Sequence, residues 1–170
     1  MRVLGIDPDL NGAMALVVTN DQERTRVIDL PTQVLTINRK TRVKFDEPRL
    51  YSMILGFGKV DLVLVEEPFI SPFASKLAIS TSYYNYGWFC GMLAASGRSF
   101  KSVKPKIWQR QVGIVDTKSA STKAKCYEIA SRLYPWIEFT EGRKTYYGRA
   151  DALMIATFGL QNNGIGILES

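Results

Sequence analysis

Three acids stand at places where an acid is uncommon. Asp7 closes the apolar run Val3-Leu4-Gly5-Ile6, Glu66 closes the run from Val60 to Val65, and Asp151 lies near the start of an otherwise apolar stretch, Gly148 to Leu160. A carboxylate is seldom carried into such surroundings unless something pairs with it. Each has an ordinary reading when taken alone. Asp7 before Pro8 can cap a turn, Glu66 can face solvent at a strand end, and Asp151 can cap its helix. Taken together they favour a cluster, because the ends of strands in a mixed sheet are where ligands bind. Clustered carboxylates repel, and a divalent cation offsets that repulsion. Two such ions can activate water and stabilise the leaving oxygen of a phosphodiester without any histidine. The chain has none, and its two cysteines, Cys90 and Cys126, sit in apolar helical patterns as reduced core residues of an intracellular protein. Zinc is thereby disfavoured, and oxygen ligation points to magnesium or manganese. A helix N-terminus beside Asp151 is expected to keep that carboxylate ionised.

The elements that must position these acids follow in order. Val3 to Ile6 and Ala13 to Val18 read as a hairpin, with Pro8 and Asn11-Gly12 turning the chain. Thr25 to Leu30 is a third strand. Val34 to Val43, with Asn38, Arg39, Lys40, Arg42 and Lys44 in or beside it, is the densest basic cluster of the first half. It is either a solvated edge or a surface lying along phosphates. Asp46 precedes a helix carrying Leu50, Met53, Ile54 and Phe57 and ending at Gly58. The run Val60 to Val65 is a buried strand. Phe69 to Ser75 is a loop, Lys76 to Ala95 a long helix, and Ser99 to Val103 a short strand. Lys104, Lys106 and Arg110 surround an anchoring Trp108 at the next helix. Ser119 to Leu133 is helical, Glu138 to Tyr147 polar and loop-like, and Gly148 to Leu160 a final helix packed on the sheet. The expected class is a mixed α/β sheet with a leading hairpin meander, in a single domain over residues 1–170.

Composition narrows the function. A hydrophobic content of 46% excludes a disordered chain. No apolar run approaches the ~20 residues of a membrane helix. The net charge of +6 favours a polyanionic partner, nucleic acid first. No leader precedes the first strand, so a cytoplasmic protein of a bacterium or phage-infected host is expected, or a trimmed organellar one.

Gly5-Ile-Asp7-Pro8-Asp9-Leu-Asn-Gly12-Ala, then Val65-Glu66, then Gly148-Arg-Ala-Asp151-Ala-Leu-Met-Ile-Ala resemble the RuvC-type Holliday junction resolvases of the RNase H-like superfamily. The middle, Tyr86-Gly-Trp-Phe-Cys-Gly-Met-Leu-Ala-Ala-Ser-Gly97 with Val103-Lys-Pro-Lys-Ile-Trp108-Gln-Arg110, is similar to the branch with the chloroplast resolvase and phage-borne relatives. The resemblance implies a homodimer that nicks two strands of a four-way DNA junction symmetrically, with two Mg2+ or Mn2+ ions per site. By motif match it makes Asp7, Glu66 and Asp151 the metal ligands and places Lys118 close to the scissile phosphate. Phe69 and Phe73 lie where relatives insert side chains into the junction centre; packing between protomers is their alternative role. Lys104, Lys106, Arg110, Lys118 and Arg149 complete the expected DNA contacts. Gly87 and Gly91 on the long helix would permit the close approach of a second protomer.

One departure stands out. Relatives carry a fourth ligand, an acid or histidine, a few residues before the last acid, where this chain has Tyr146, Tyr147 and Gly148. A phenol stays protonated near pH 7 and binds magnesium poorly. Water, Glu141 or Glu67 is then the expected substitute, or the second ion is held weakly. Three other readings are open: an actin-like or sugar-kinase-like ATPase fragment, for which the length leaves too little room, a nuclease acting on RNA or hybrids, and a junction-binding protein with decayed catalysis.

Overall fold

The structure is a computed structural model and describes residues 1–37, 39–114 and 119–162. Its first two strands, β1 (Arg2–Ile6) and β2 (Ala13–Val18), pair antiparallel from Arg2↔Val18 to Ile6↔Met14, and β3 (Arg26–Asp29) adds antiparallel to β2. The next two, β4 (Thr32–Ile37) and β5 (Lys40–Phe45), form a separate two-stranded ladder. Helix α1 (Glu47–Gly56) follows, with Asp46 as N-cap accepting from the Arg49 amide at 3.2 Å. Strand β6 (Leu62–Glu66) then lies parallel to β1 on its other side. Helix α2 (Lys76–Ala95) crosses back to β7 (Lys101–Val103), parallel to β6. Helices α3 (Pro105–Gln111) and α4 (Ser119–Leu133), a short hairpin of β8 (Thr140–Glu141) and β9 (Lys144–Thr145), and α5 (Tyr147–Gln161) complete the chain. The main sheet runs β3-β2-β1-β6-β7.

The sheet is covered on both faces, which is why its strands read as nearly unbroken apolar runs. Val3, Ala13, Ala15, Leu62 and Leu64 face a core built with Trp108, Cys126 and α5. Leu4, Ile6, Met14, Val63 and Val65 face a second core with Leu50, Ile54, Phe89 and Leu93 of α1 and α2. Every residue of α5 from Ala152 to Gly159 is buried. The mixed sheet flanked by helices agrees with the expected class.

The basic stretch, read as a solvated edge or a phosphate surface with no strand assigned to it, forms the β4–β5 hairpin; its turn holds Arg39 at φ 61°, with none of the glycine that usually announces such turns. Two expectations need correction. The loop-like stretch after Glu138 contains β8–β9. And α5 begins at Tyr147, so Asp151 falls in its second turn, beyond the reach of the terminal partial charge. Among the described residues no helix is long and apolar enough to cross a membrane.

Candidate active site

Ile6 and Val65 are register partners on parallel strands. The residues that follow them, Asp7 just past β1 and Glu66 at the end of β6, therefore stand side by side at the sheet's C-terminal edge. Helix α5 reaches the same edge because glycines let it sit directly on the backbone. A Cβ on Gly5 would fall 2.3 Å from the Ala152 carbonyl oxygen, and one on Gly148 would fall 2.3 Å from that of Asn11. These two approaches bring Asp151 to the other acids, and all three line one cleft of about 1220 Å³.

Desolvation and repulsion dominate the cleft. Asp7 is 6% exposed, and burial raises its carboxyl well above the usual range, with the charges of Asp151 and Asp9 adding to the effect. Glu66 is half-buried, and burial followed by the charges of Asp7 and Asp151 raises it well above its ordinary value. Asp151 is raised as well, chiefly by burial, although the Cys126 thiol and Lys123 oppose the shift. This reverses the expectation that the helix end would keep Asp151 ionised. Among the described residues, Lys123 of α4 is a cation that acts against the shifts of Asp7 and Asp151. Three carboxylates short of positive charge are, in their chemistry, a donor set for a hard divalent cation. Among the described residues no three such side chains converge on a single point closely enough to hold an ion.

Four residues of the site were missed in the sequence. Asp9 lines the cleft, and its charge reaches Asp7, Glu66 and Asp151. Its backbone amide also donates to Asp7 Oδ1 at 3.2 Å. The turn role of Asp7 and its place in the acid cluster are thus compatible. The Gly-Ile-Asp-Pro-Asp spacing was the available signal. Trp108, 1% exposed, does more than anchor α3, since its Nε1 donates to Glu66 Oε1 at 2.7 Å. Lys123 lines the cleft. Cys126 is the buried core residue expected, and its thiol also meets the Asp151 carboxylate.

The remaining expected residues divide. Phe69 (65% exposed) lines the cleft, with Lys106 Nζ 5.9 Å from its ring centroid, whereas Phe73 (96% exposed) does not line it. Lys104 at the N-cap of α3 and Arg110 near its end are exposed. Lys118 lies outside the described residues. Arg149 is committed elsewhere: its Nε and Nη2 each meet Asp29 at 2.7 Å, and its Nη1 donates to the Glu138 carbonyl. That clamp ties α5 to β3 and leaves no open guanidinium fork for the DNA contact expected of it. Tyr146 and Tyr147 both line the cleft. Glu141, one proposed substitute ligand, accepts from the Tyr146 hydroxyl and does not line the cleft, whereas Glu67 does.

No family model matches the chain. By sequence it is 31% identical over 96 residues to the chloroplastic Holliday junction resolvase MOC1 of Chlamydomonas reinhardtii. That match covers 56% of this chain and 10% of the relative, so the chain spans about a tenth of the length of the curated relative it matches. By structure it is similar to T. thermophilus RuvC in complex with a Holliday junction substrate, with TM-score 0.62 and 15% identity over 98% of this chain and 97% of that one. A second Thermus thermophilus RuvC structure gives TM-score 0.59 at 17% identity, covering 98% of each chain. The structural likeness establishes the fold, and the resemblance to RuvC-type resolvases read from the sequence is borne out.

Proposed function

We propose, from the RuvC-like fold and the acids at its sheet edge, that this chain is a structure-selective DNA endonuclease. It resolves four-way junctions by symmetric, divalent-metal-dependent nicking of two strands, in recombination or phage DNA processing. The observation that carries the reading is the meeting of Asp7, Glu66 and Asp151 in one cleft, each raised in pKa by burial. These three would hold Mg2+, with Mn2+ as a substitute and two ions per site. When bound, the ions supply activation of water and stabilisation of the leaving oxygen in an in-line displacement.

The chain's own residues do the remainder. The Trp108 indole holds Glu66 Oε1 and so fixes the orientation of that carboxylate at the cleft. Asp9 stands in for the acid that relatives carry near position 147. Lys123 places a cation beside the acids and, with Lys118, serves the phosphate. Phe69 and Phe73, both largely exposed, stack on unpaired bases for about 1–3 kcal/mol each. Lys104, Lys106 and Arg110 attract the flanking backbone.

Two symmetric nicks call for two active sites, which a C2 dimer provides through one interface. Helix α2 is the proposed contact: Leu77 and Tyr84 are 69% and 55% exposed, and Gly87 and Gly91 face open space. The reading takes residues 1–170 as one nuclease domain.

The test is incubation of the purified protein with a synthetic four-way junction, a linear duplex and an RNA–DNA hybrid, with Mg2+, Mn2+ or chelator. Paired nicks at symmetry-related positions, confined to the junction and dependent on metal, are expected. Equal cutting of the hybrid, or none of the junction with either metal, contradicts the proposal.

A further inference from the structure

Among the described residues, the densest run of exposed cations along the sequence is Arg39 to Lys44 on the β4–β5 hairpin, and none of its cations lines the cleft. The root of this arm is fixed. Phe45 is 3% exposed and meets Phe89 edge-on at 5.7 Å, and the Asp46 amide donates to the Pro31 carbonyl at 2.9 Å. Beyond the root the two strands pack mainly on each other. Val34 (67% exposed) and Val43 (48%) face each other across the ladder in the open.

The arm carries Arg39, Lys40, Arg42 and Lys44, and no acid occurs between Thr32 and Phe45. All four cations are exposed. The ion pairs among the described residues, Arg24–Asp21 and Arg149–Asp29, involve none of them. Strand alternation sets Lys40, Arg42 and Lys44 on one face of β5, about 6–7 Å apart. Arg39 holds the turn with a φ of 61°, a backbone that glycine adopts more easily than arginine. The root adjoins the cleft, since Leu30 and Thr32 line it. A row of solvated cations without acids suits a polyanion bound through its backbone rather than through base edges.

We infer that the β4–β5 arm is a second DNA-binding element, which lies along the phosphates of a duplex leading away from the cleft. The inference rests on the nuclease reading only for the identity of the polyanion. The arm neutralises phosphates while the cleft does the chemistry, so its loss weakens binding and leaves the bound complex able to react.

The test compares wild type with the combined variant Arg39→Gly, Lys40→Gln, Arg42→Gln, Lys44→Gln. Binding to labelled four-way junction and to linear duplex is followed by anisotropy across a salt titration, without divalent metal. The variant is expected to lose at least about tenfold in affinity at low salt, with a salt slope shallower by about 2–4, close to one for each phosphate the arm no longer neutralises. The charge-preserving pair Arg39→Lys, Arg42→Lys is expected to stay within about threefold of wild type, because holding a phosphate needs a cation rather than a fork. Single-turnover cleavage at saturating protein is expected to stay within about threefold. Arg39→Gly alone separates charge from folding: it relieves the turn, so its melting temperature holds or rises while affinity drops.

Equal affinities and slopes for wild type and the combined variant on both DNAs would overturn the inference and make the arm a solvated edge. A change in oligomeric state that accounts for the affinity loss would overturn it as well. If wild type binds duplex and junction alike, the junction reading falls, and the arm is still judged by the difference between wild type and variant. If wild type binds no DNA, both fall.

Discussion

The cleft and the arm each gather charge of one sign with little opposing charge, and they do so under opposite conditions. The acids sit at the C-terminal edge of a buried sheet, Asp7 and Glu66 at strand ends and Asp151 on α5 packed against them, where burial raises their pKa. The cations of β5 stand in water on a ribbon that touches little else, where charge has almost no desolvation cost. Charge held by a core is fixed in place by the packing around it, and its members are coupled, since the charge of each raises the pKa of its neighbours. Charge held in solvent is graded, because each cation contributes its share independently and salt screens all of them.

The largest effects are therefore expected in the cleft. Asp7→Asn, Glu66→Gln and Asp151→Asn should each lower the cleavage rate on the order of a thousandfold or more while junction binding stays near wild type. Double variants should be little worse than single ones. Graded, additive losses would break the contrast, since that is the behaviour assigned to the arm.

Trp108→Phe sharpens the contrast with a neutral residue. It keeps the bulk in the core and removes the indole donor to Glu66 Oε1. A loss of about 10–100-fold in metal affinity or in rate is expected. Because that hydrogen bond lowers the Glu66 pKa, its removal should also move the acid limb of the pH–rate profile to higher pH. A merely structural tryptophan would leave the limb in place. An unchanged profile would reduce Trp108 to core packing.

Tyr147→Asp probes the site's weak corner. Tyr147 lies four residues before Asp151 on α5 and lines the cleft, so an added carboxylate shares that face. The magnesium concentration for half-maximal cleavage should fall several-fold, with a smaller advantage of manganese in the variant than in wild type. An unchanged requirement would mean that Asp9 already completes the site.

The smallest effect is on stability. Burial raises the native pKa of Asp7 above its unfolded value, so the native state binds more protons than the unfolded chain. Metal-free stability should then fall as pH rises from the ordinary carboxylate range, about 4, through the raised native value. Asp7→Asn removes this term. It should melt higher than wild type at neutral pH by roughly 2–4 °C per kcal/mol relieved, and the two should converge in acid. A lower melting temperature at neutral pH would contradict the electrostatic account. A loss on the arm, by comparison, leaves this pH dependence untouched.

The same contrast explains what was readable in the sequence. The acids were legible because each interrupts an apolar run, and such runs mark buried strands and helices. Helices α2 and α4 were legible to the residue, with their ends at Lys76, Ala95, Ser119 and Leu133. The arm was not legible as a hairpin. Exposed on both faces, it has no apolar-polar alternation to betray its strands, and Arg39 stands where a turn glycine would have signalled it. Asp9 looked like any polar residue of a turn. The bonds from Trp108 to Glu66 and from Arg149 to Asp29 join residues 42 and 120 positions apart. No local pattern encodes them, because they arise only when α3 and α5 dock on the sheet.

The central claim is that Asp7, Glu66 and Asp151 form one metal centre. Its most direct measurement is the stoichiometry of Mn2+ taken up by the DNA-free protein, read by electron paramagnetic resonance for wild type and for Asp7→Asn, Glu66→Gln and Asp151→Asn. The account predicts up to two ions per chain for wild type and at least one fewer, or a binding at least about tenfold weaker, for every variant. Wild-type stoichiometry and affinity in all three variants would contradict it.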